Sequence, residues 1–374
     1  MKLSRREFVK TASLGALGLL AGNFWPRLGG AGMPPREALF YQKALNQRVE
    51  CRLCPRYCVI DNGSRGNCGV RENRRGKLYS LVYGKICARH LDPIEKKPFF
   101  HFLPGSLSYS FATAGCNLHC AYCQNWDISQ ARPEAVDSEE LLPFKMLEIA
   151  RENGAQSLAG TYSEPTIFYE YLLEIARTAK TYNLPVLMVS SGFINPEPLE
   201  LLCRHLKGIK IDFKSFSRDF YANYCSGKLE PVLNSMKIIK KAGVWLEIVN
   251  LAIPTLNDGN KEFLNLCSWI KHNLGLEVPL HFTAFYPMYK LKNLPPTSPR
   301  TLMRAREIAL KEGLKYVYTG NLPGFPGENT YCPQCGKIIL ERKAYLLTQN
   351  QLIQGKCRFC GEHIPGYWNQ ASQI

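Results

Sequence analysis

The chain has 374 residues, 45 % apolar and 21 % charged, an ordinary globular balance with enough length to bury a sizeable core without disulfide staples. Its 47 Lys and Arg outweigh 31 Asp and Glu for a net charge of +16. That charge is spread along the chain with no run of five or more like charges, so there is no strong case for a nucleic-acid partner. The 15 cysteines fall mostly into three tight groups, and such spacings suit ligands converging on an ion or cluster. The singletons Cys87, Cys203, Cys225 and Cys267 read as buried thiols.

Residues 1–31 pair a basic start, MKLSRREFVK, with the charge-free apolar run Thr11 to Pro26. This is the layout of a twin-arginine export signal. The run falls short of the ~20 residues of a spanning helix, and Gly29-Gly30-Ala31 offers a small-residue cleavage site. Contact with a membrane or translocase would be transient. The cytoplasm is the alternative location.

Residues 27–50 read as a linker and a short helix, within a cysteine-rich module over 32–105. Its group, Cys51, Cys54, Cys58 and Cys68, has the spacing x2, x3, x9. Zinc and an auxiliary iron–sulfur cluster both remain open, with the half-knuckle Cys51-x2-Cys54 favouring zinc. The stretch DPIEKKPFFHFLPGS follows. It reads either as a loop closing the bottom of a barrel or as a lid offering Lys96, Lys97 or His101 to an anion.

Strand–helix alternation fills residues 106–321. Candidate strands are 106–113, 157–162, 185–191, 208–213, 244–253, 279–285 and 315–320, with helices over 138–153, 166–181, 229–242, 261–273 and 298–312. This α/β pattern predicts parallel βα units forming a partial, (β/α)6-type TIM barrel, with a doubly wound sheet as the competing arrangement. Residues 322–374 form an appended module. In it, Cys332-x2-Cys335 and Cys357-x2-Cys360 are each followed by glycine, which reads as a zinc ribbon, with rubredoxin-like iron as the alternative.

The first barrel strand leads into ATAGCNLHCAYCQNW, where Cys116, Cys120 and Cys123 are spaced x3, x2. Three thiolates hold three irons of a four-iron cluster and leave the fourth open. A zinc site borrowing His119 or His101 is the plainer reading. The spacing, with Tyr122 before the third cysteine, resembles the radical S-adenosylmethionine (SAM) superfamily. That resemblance implies a 4Fe-4S cluster whose open iron binds SAM, with Tyr122 near the adenine. It also implies reductive cleavage to methionine and a 5′-deoxyadenosyl radical, which abstracts hydrogen from a protein or small-molecule substrate. The electron donor would be of flavodoxin or ferredoxin type.

Glu164-Pro165 matches part of the family's Gly-Gly-Glu-Pro-like segment and would meet the methionine amino group. Asp212-Phe-Lys214 resembles the Asp-x-Lys segment of glycyl-radical activating enzymes, close to SAM, and Ser190-Ser191-Gly192 would face the nucleoside. Their plainer readings are a helix-capping acid and a rim salt bridge. Asn250 and Pro254 match loosely. CRLCPRYCVI, DPIEKKPFFHFLPGS, YSEPT and CGEHIPGYW extend the resemblance to the radical enzyme of the AmmeMemoRadiSam system, related to the pyruvate formate-lyase activating enzyme. A non-catalytic iron–sulfur electron carrier and a nucleic-acid-modifying radical enzyme are the rival functions.

Overall fold

The structure is a computed structural model that describes residues 33–322 and 326–368. The twin-arginine-like segment 1–31 lies outside the described residues. Among the described residues no helix is long and apolar enough to cross a membrane.

The centre is an eight-stranded sheet. Its strands, in spatial and chain order, are β1 (Ala88–Pro93), β2 (Leu107–Ala112), β3 (Ser157–Gly160), β4 (Val186–Ser190), β5 (Gly208–Asp212), β6 (Trp245–Ala252), β7 (Leu280–Ala284) and β8 (Val317–Gly320). From β2 to β8 every neighbouring pair is parallel. β1 joins β2 antiparallel, and β1 and β8 are the sheet's two edges, so the barrel is partial. These parallel strands are the seven expected from the sequence. Most are buried along nearly their whole length, as strands covered on both faces must be.

The crossovers carry α1 (Pro143–Glu152), α2 (Tyr169–Thr178), α3 (Pro196–Cys203), α4 (Arg218–Cys225), α5 (Leu229–Lys241), α6 (Asn260–Leu274) and α7 (Pro299–Lys311). Proline opens α1, α3 and α7, where its missing N–H costs nothing. Ser217 and Ser298 cap α4 and α7 by accepting from Phe220 N and Thr301 N, each at 3.2 Å.

Residues 33–87 form small antiparallel sheets, with strands Arg36–Glu37, Tyr41–Lys43 and Val49–Cys51 where the sequence suggested a helix. The segment is short, and short helices are marginal on their own, so pairing with neighbouring strands wins. A buried ion pair ties this region to the barrel: Arg71 Nη2 donates to both Glu170 carboxylate oxygens on α2 at 2.7 Å.

The stretch 94–105 closes the N-terminal end of the barrel. Phe99 and Phe102 pack with Leu187 and Ala159 and against Gly208, the first residue of β5. Glu247 on β6 accepts from Phe100 N and His101 N at 2.9 Å, from Trp245 Nε1 at 3.0 Å and from His281 Nε2 at 2.8 Å. The C-terminal module clamps this plug from outside. Arg342 Nη2 donates to Phe100 O at 2.8 Å, Tyr367 N to His101 O at 2.7 Å, and the Tyr367 ring stacks on Phe102 at 4.5 Å.

Candidate functional site

The three-cysteine loop leaves the C-terminal end of β2, the end where βα barrels carry their sites. Gly115 turns the chain at φ +99°. A Cβ there would lie 2.5 Å from Val70 Cγ1 and 3.0 Å from Cys68 O, so only glycine fits. The loop is pinned along its length. Arg56 Nε donates to Asn117 O at 2.6 Å, and Asn117 Nδ2 to Phe193 O at 2.7 Å. His119 N and Ala121 N donate to Cys225 O and Tyr224 O at the end of α4, at 3.0 and 2.8 Å. The sulfurs have polar company: Leu118 N donates to Cys116 Sγ at 3.3 Å, and Ser129 Oγ lies 3.0 Å from Cys123 Sγ.

Burial and then Glu164 push the Cys116 thiol well up, and the neighbouring Cys225 and then burial do the same for Cys120. Without metal these thiols hold their protons, so loading a cluster must release them. His119 does not act as a spare ligand, because its ring nitrogens engage Gln130 Oε1 at 2.7 Å and Asn67 Oδ1 at 2.8 Å. His101 is far from the loop, held at the barrel's other end by Pro365 O at 2.7 Å and Tyr318 OH at 2.6 Å.

Tyr122 turns its phenol inward. Its OH is 3.2 Å from Cys225 Sγ and its ring packs on Phe220 with centroids 5.8 Å apart. Cys225 therefore belongs to the site's wall. Its lone position in the sequence carried no signal of that, because the contact forms only when α4 folds over the loop.

Glu164 is 2 % exposed and fully engaged. Oε1 accepts from Thr166 N, Thr166 Oγ1 and Ser190 Oγ at 3.0, 2.8 and 2.6 Å, and Oε2 from Ser191 N and Oγ at 2.9 and 2.7 Å. One carboxylate thus orders the ends of β3 and β4 together. At the end of β5, Asp212 sits between Lys210 and Lys214, with Lys214 Nζ at 3.2 Å from Oδ2. Burial alone would raise the Asp212 pKa, but the two ammonium groups hold it down at about 2. Burial would lower Lys214, but Asp212 and then Cys120 and Cys225 raise it. Lys214 is therefore a cation beside the thiol loop.

A further network was missed in the sequence. Tyr162 OH donates to Asp92 Oδ2 at 2.7 Å, Lys96 and Lys97 also hold Asp92, and Asn125 Nδ2 donates to Tyr162 O at 2.7 Å. The run Asp92 to Lys97 signalled charge, but its partner Tyr162 lies 70 residues on, beyond any local pattern. Ser163 Oγ and Asn250 Oδ1 are buried without a hydrogen-bond partner, and unpaired buried groups of this kind suit a polar ligand. With three thiols on one loop, these groups fit a cluster and a polar cosubstrate.

The tail cysteines converge at the opposite end. Cys332 and Cys360 sulfurs are 3.5 Å apart, Cys335 and Cys357 are 3.8 Å apart, and all four lie within 4.8 Å of one another. Gly336 and Gly361 adopt φ +70° and +79° and donate back to Cys332 O and Cys357 O at 2.9 Å. The set can hold one metal ion. Cys51, Cys54, Cys58 and Cys68 line a separate cavity beside the three-cysteine loop.

Residues 111–267 match the sequence profile of the Radical SAM superfamily. An uncharacterized protein of Methanocaldococcus jannaschii is 43 % identical over 331 residues, spanning 88 % of this chain and 98 % of that protein. The chain belongs to the radical SAM superfamily. This radical SAM protein is also 26 % identical to the pyruvate formate-lyase-activating enzyme of Staphylococcus epidermidis over 243 residues, 59 % of this chain and 92 % of that enzyme. Among solved structures, a radical SAM methyltransferase from Sphaerobacter thermophilus is similar at a TM-score of 0.47 and 14 % identity, covering 61 % of this chain and 71 % of that one.

Proposed function

We propose that the protein is a radical SAM enzyme of activating-enzyme type that abstracts hydrogen from a protein or a small molecule. The observation that carries this reading is the placement of Cys116, Cys120 and Cys123 on a pinned loop at the C-terminal end of β2, with Lys214 beside it. Cys116, Cys120 and Cys123 would hold the cluster through three of its irons. When bound, the cluster and SAM supply one-electron cleavage of the sulfonium and a hydrogen-abstracting radical.

The chain's own residues bind and shield. Lys214, facing the loop with its charge kept by Asp212, suits a carboxylate. Glu164 has its lone pairs committed to Thr166, Ser190 and Ser191, so its part is to fix those backbones, and Ser163 Oγ beside it is the free polar group. Tyr122 and Phe220 wall the loop with apolar surface, which keeps water from a reactive intermediate. A flavodoxin or ferredoxin supplies the electron.

In the same reading the tail cysteines hold zinc. Sulfurs 3.5 and 3.8 Å apart match a tetrahedron of Zn–S bonds of about 2.3 Å. Segment 1–31 addresses export, and Arg5→Lys with Arg6→Lys should shift the protein between cell fractions. An unchanged distribution removes that reading.

Anaerobic, iron-loaded protein given a strong reductant and SAM should form 5′-deoxyadenosine and methionine in equal amounts. Cluster-loaded protein that forms neither above the protein-free control overturns the proposal.

A further inference from the structure

The two four-cysteine groups are built differently. In the tail the sulfurs crowd around a point. In the N-terminal group they surround a space. Cys51, Cys54, Cys58 and Cys68 all line one cavity, together with Arg71 and Asn117. Among the described residues the tail tetrad alone brings three or more such ligand atoms within 4.8 Å of one another. A single zinc ion needs its sulfurs about as close as the tail holds them, whereas a cubane of four irons and four sulfides needs a volume with one thiolate at each corner.

The backbone is shaped to that volume. Cys51 and Cys58 face each other across a hairpin, with Cys51 N donating to Cys58 O at 2.9 Å. Tyr57, at φ +46°, donates to Cys54 O at 3.3 Å and turns Cys54 back toward them. Cys68 arrives on a second turn, closed by Gly69 N to Gly66 O at 2.9 Å. A Cβ on Gly66 would lie 3.7 Å from Cys58 Sγ and 3.2 Å from Ile60 Cδ1, so glycine keeps the wall thin. All four thiols are free of disulfides.

A second observation points to an anionic occupant. Arg71, 1 % exposed, lines the cavity, and its Nε–H is buried with no hydrogen-bond partner while its Nη2 serves Glu170. A buried donor with no partner, on a residue that lines a cavity with four thiols, would be satisfied by a sulfur acceptor bound there.

The cavity also adjoins the catalytic loop. Asn117, next in sequence to Cys116, lines it. The cleft beside it is lined by both Cys68 and Cys116, and Gly115 packs directly on Cys68 O. The two cysteine sets are therefore neighbours.

We propose that Cys51, Cys54, Cys58 and Cys68 ligate a second four-iron–four-sulfur cluster that relays single electrons to the three-cysteine site, a role that rests on the radical SAM reading above. With four thiolates the cluster is closed and has no iron free for a substrate, so electron transfer is the chemistry left to it. It takes one electron from a reduced flavodoxin- or ferredoxin-type donor and returns to its oxidised state as that electron passes to its neighbour. No bond forms or breaks and no proton moves.

Metal content of the full chain, purified anaerobically and loaded with iron and sulfide, tests the ligand set. In Cys116→Ala/Cys120→Ala/Cys123→Ala, about four irons and four sulfides per chain should remain. Iron near zero with a second zinc in their place overturns the proposal and leaves the radical SAM reading untouched. Wild-type protein needs no substitution. On adding SAM, one iron in about eight should change its Mössbauer signature, and one in about four overturns the second cluster. For the relay, the rate of SAM cleavage with reduced flavodoxin relative to that with titanium(III) citrate should fall at least tenfold in Cys54→Ser. An unchanged ratio overturns the relay.

Discussion

Cys123 shows how much of the site rests on single contacts. Its sulfur has Ser129 Oγ 3.0 Å away, and groups that bond a metal-ligating atom typically tune affinity or activity by about 10–100-fold. Cys123→Ala should abolish SAM cleavage and remove the iron held by the loop, whereas Ser129→Ala should keep the iron and lower the cleavage rate by roughly tenfold. Iron analysis and 5′-deoxyadenosine assays on the two variants check this. The cysteine triad was plain in the sequence because its spacing is local. The contacts that shape it were not. Ser190 and Ser191 meet Glu164 from more than 25 residues away, and Cys225 meets Tyr122 across 103 residues.

His101 carries a residue-scale prediction of its own. Burial holds its pKa at about 4, against an ordinary 6.5. The folded value lies below the unfolded one, so its contribution to stability is complete above about pH 6.5. It is lost as the pH falls toward 4, where the unfolded chain takes up a proton that the fold refuses. The loss is at most about 3 kcal/mol. Denaturant melts in steps from pH 7 to pH 4.5 should show the decline, and a smaller one in His101→Gln. Equal slopes in both proteins would remove His101 as the cause.

At the scale of elements, the Arg71–Glu170 pair joins the cysteine-rich region to α2. Glu170 Oε1 also accepts from Leu39 N at 2.8 Å. Glu170→Gln leaves the buried Arg71 guanidinium without its counter-charge and should cost about 3–5 kcal/mol, read as a lower denaturation midpoint. The elements that the sequence showed best are the seven parallel strands, because a strand buried on both faces is a nearly continuous apolar run. Those that escaped lack such a signal. β1, ARHLDP, is a mostly exposed edge strand. α3 and α4 span eight residues each; α3 contains two prolines, and α4, RDFYANYC, is made largely of weak helix formers. Tertiary packing, not periodicity, makes them helical.

For the whole molecule, the barrel works at one end and is held shut at the other. The tail module grips the plug 94–105 through Arg342, Tyr367 and Pro365, far from the three-cysteine loop. Cys332→Ser should therefore release one zinc and lower the melting temperature while SAM cleavage by folded protein stays within about twofold, since distant sites act nearly independently. Loss of cleavage in folded, cluster-loaded Cys332→Ser would show that the two ends are coupled.

The central claim is that three thiolates leave one iron open for SAM. Electron paramagnetic resonance of the reduced, anaerobically loaded protein tests it most directly. The account predicts that SAM shifts the signal component that is lost in Cys116→Ala/Cys120→Ala/Cys123→Ala, because SAM binds the open iron of that cluster. A spectrum unchanged by saturating SAM, with that component present, would contradict it.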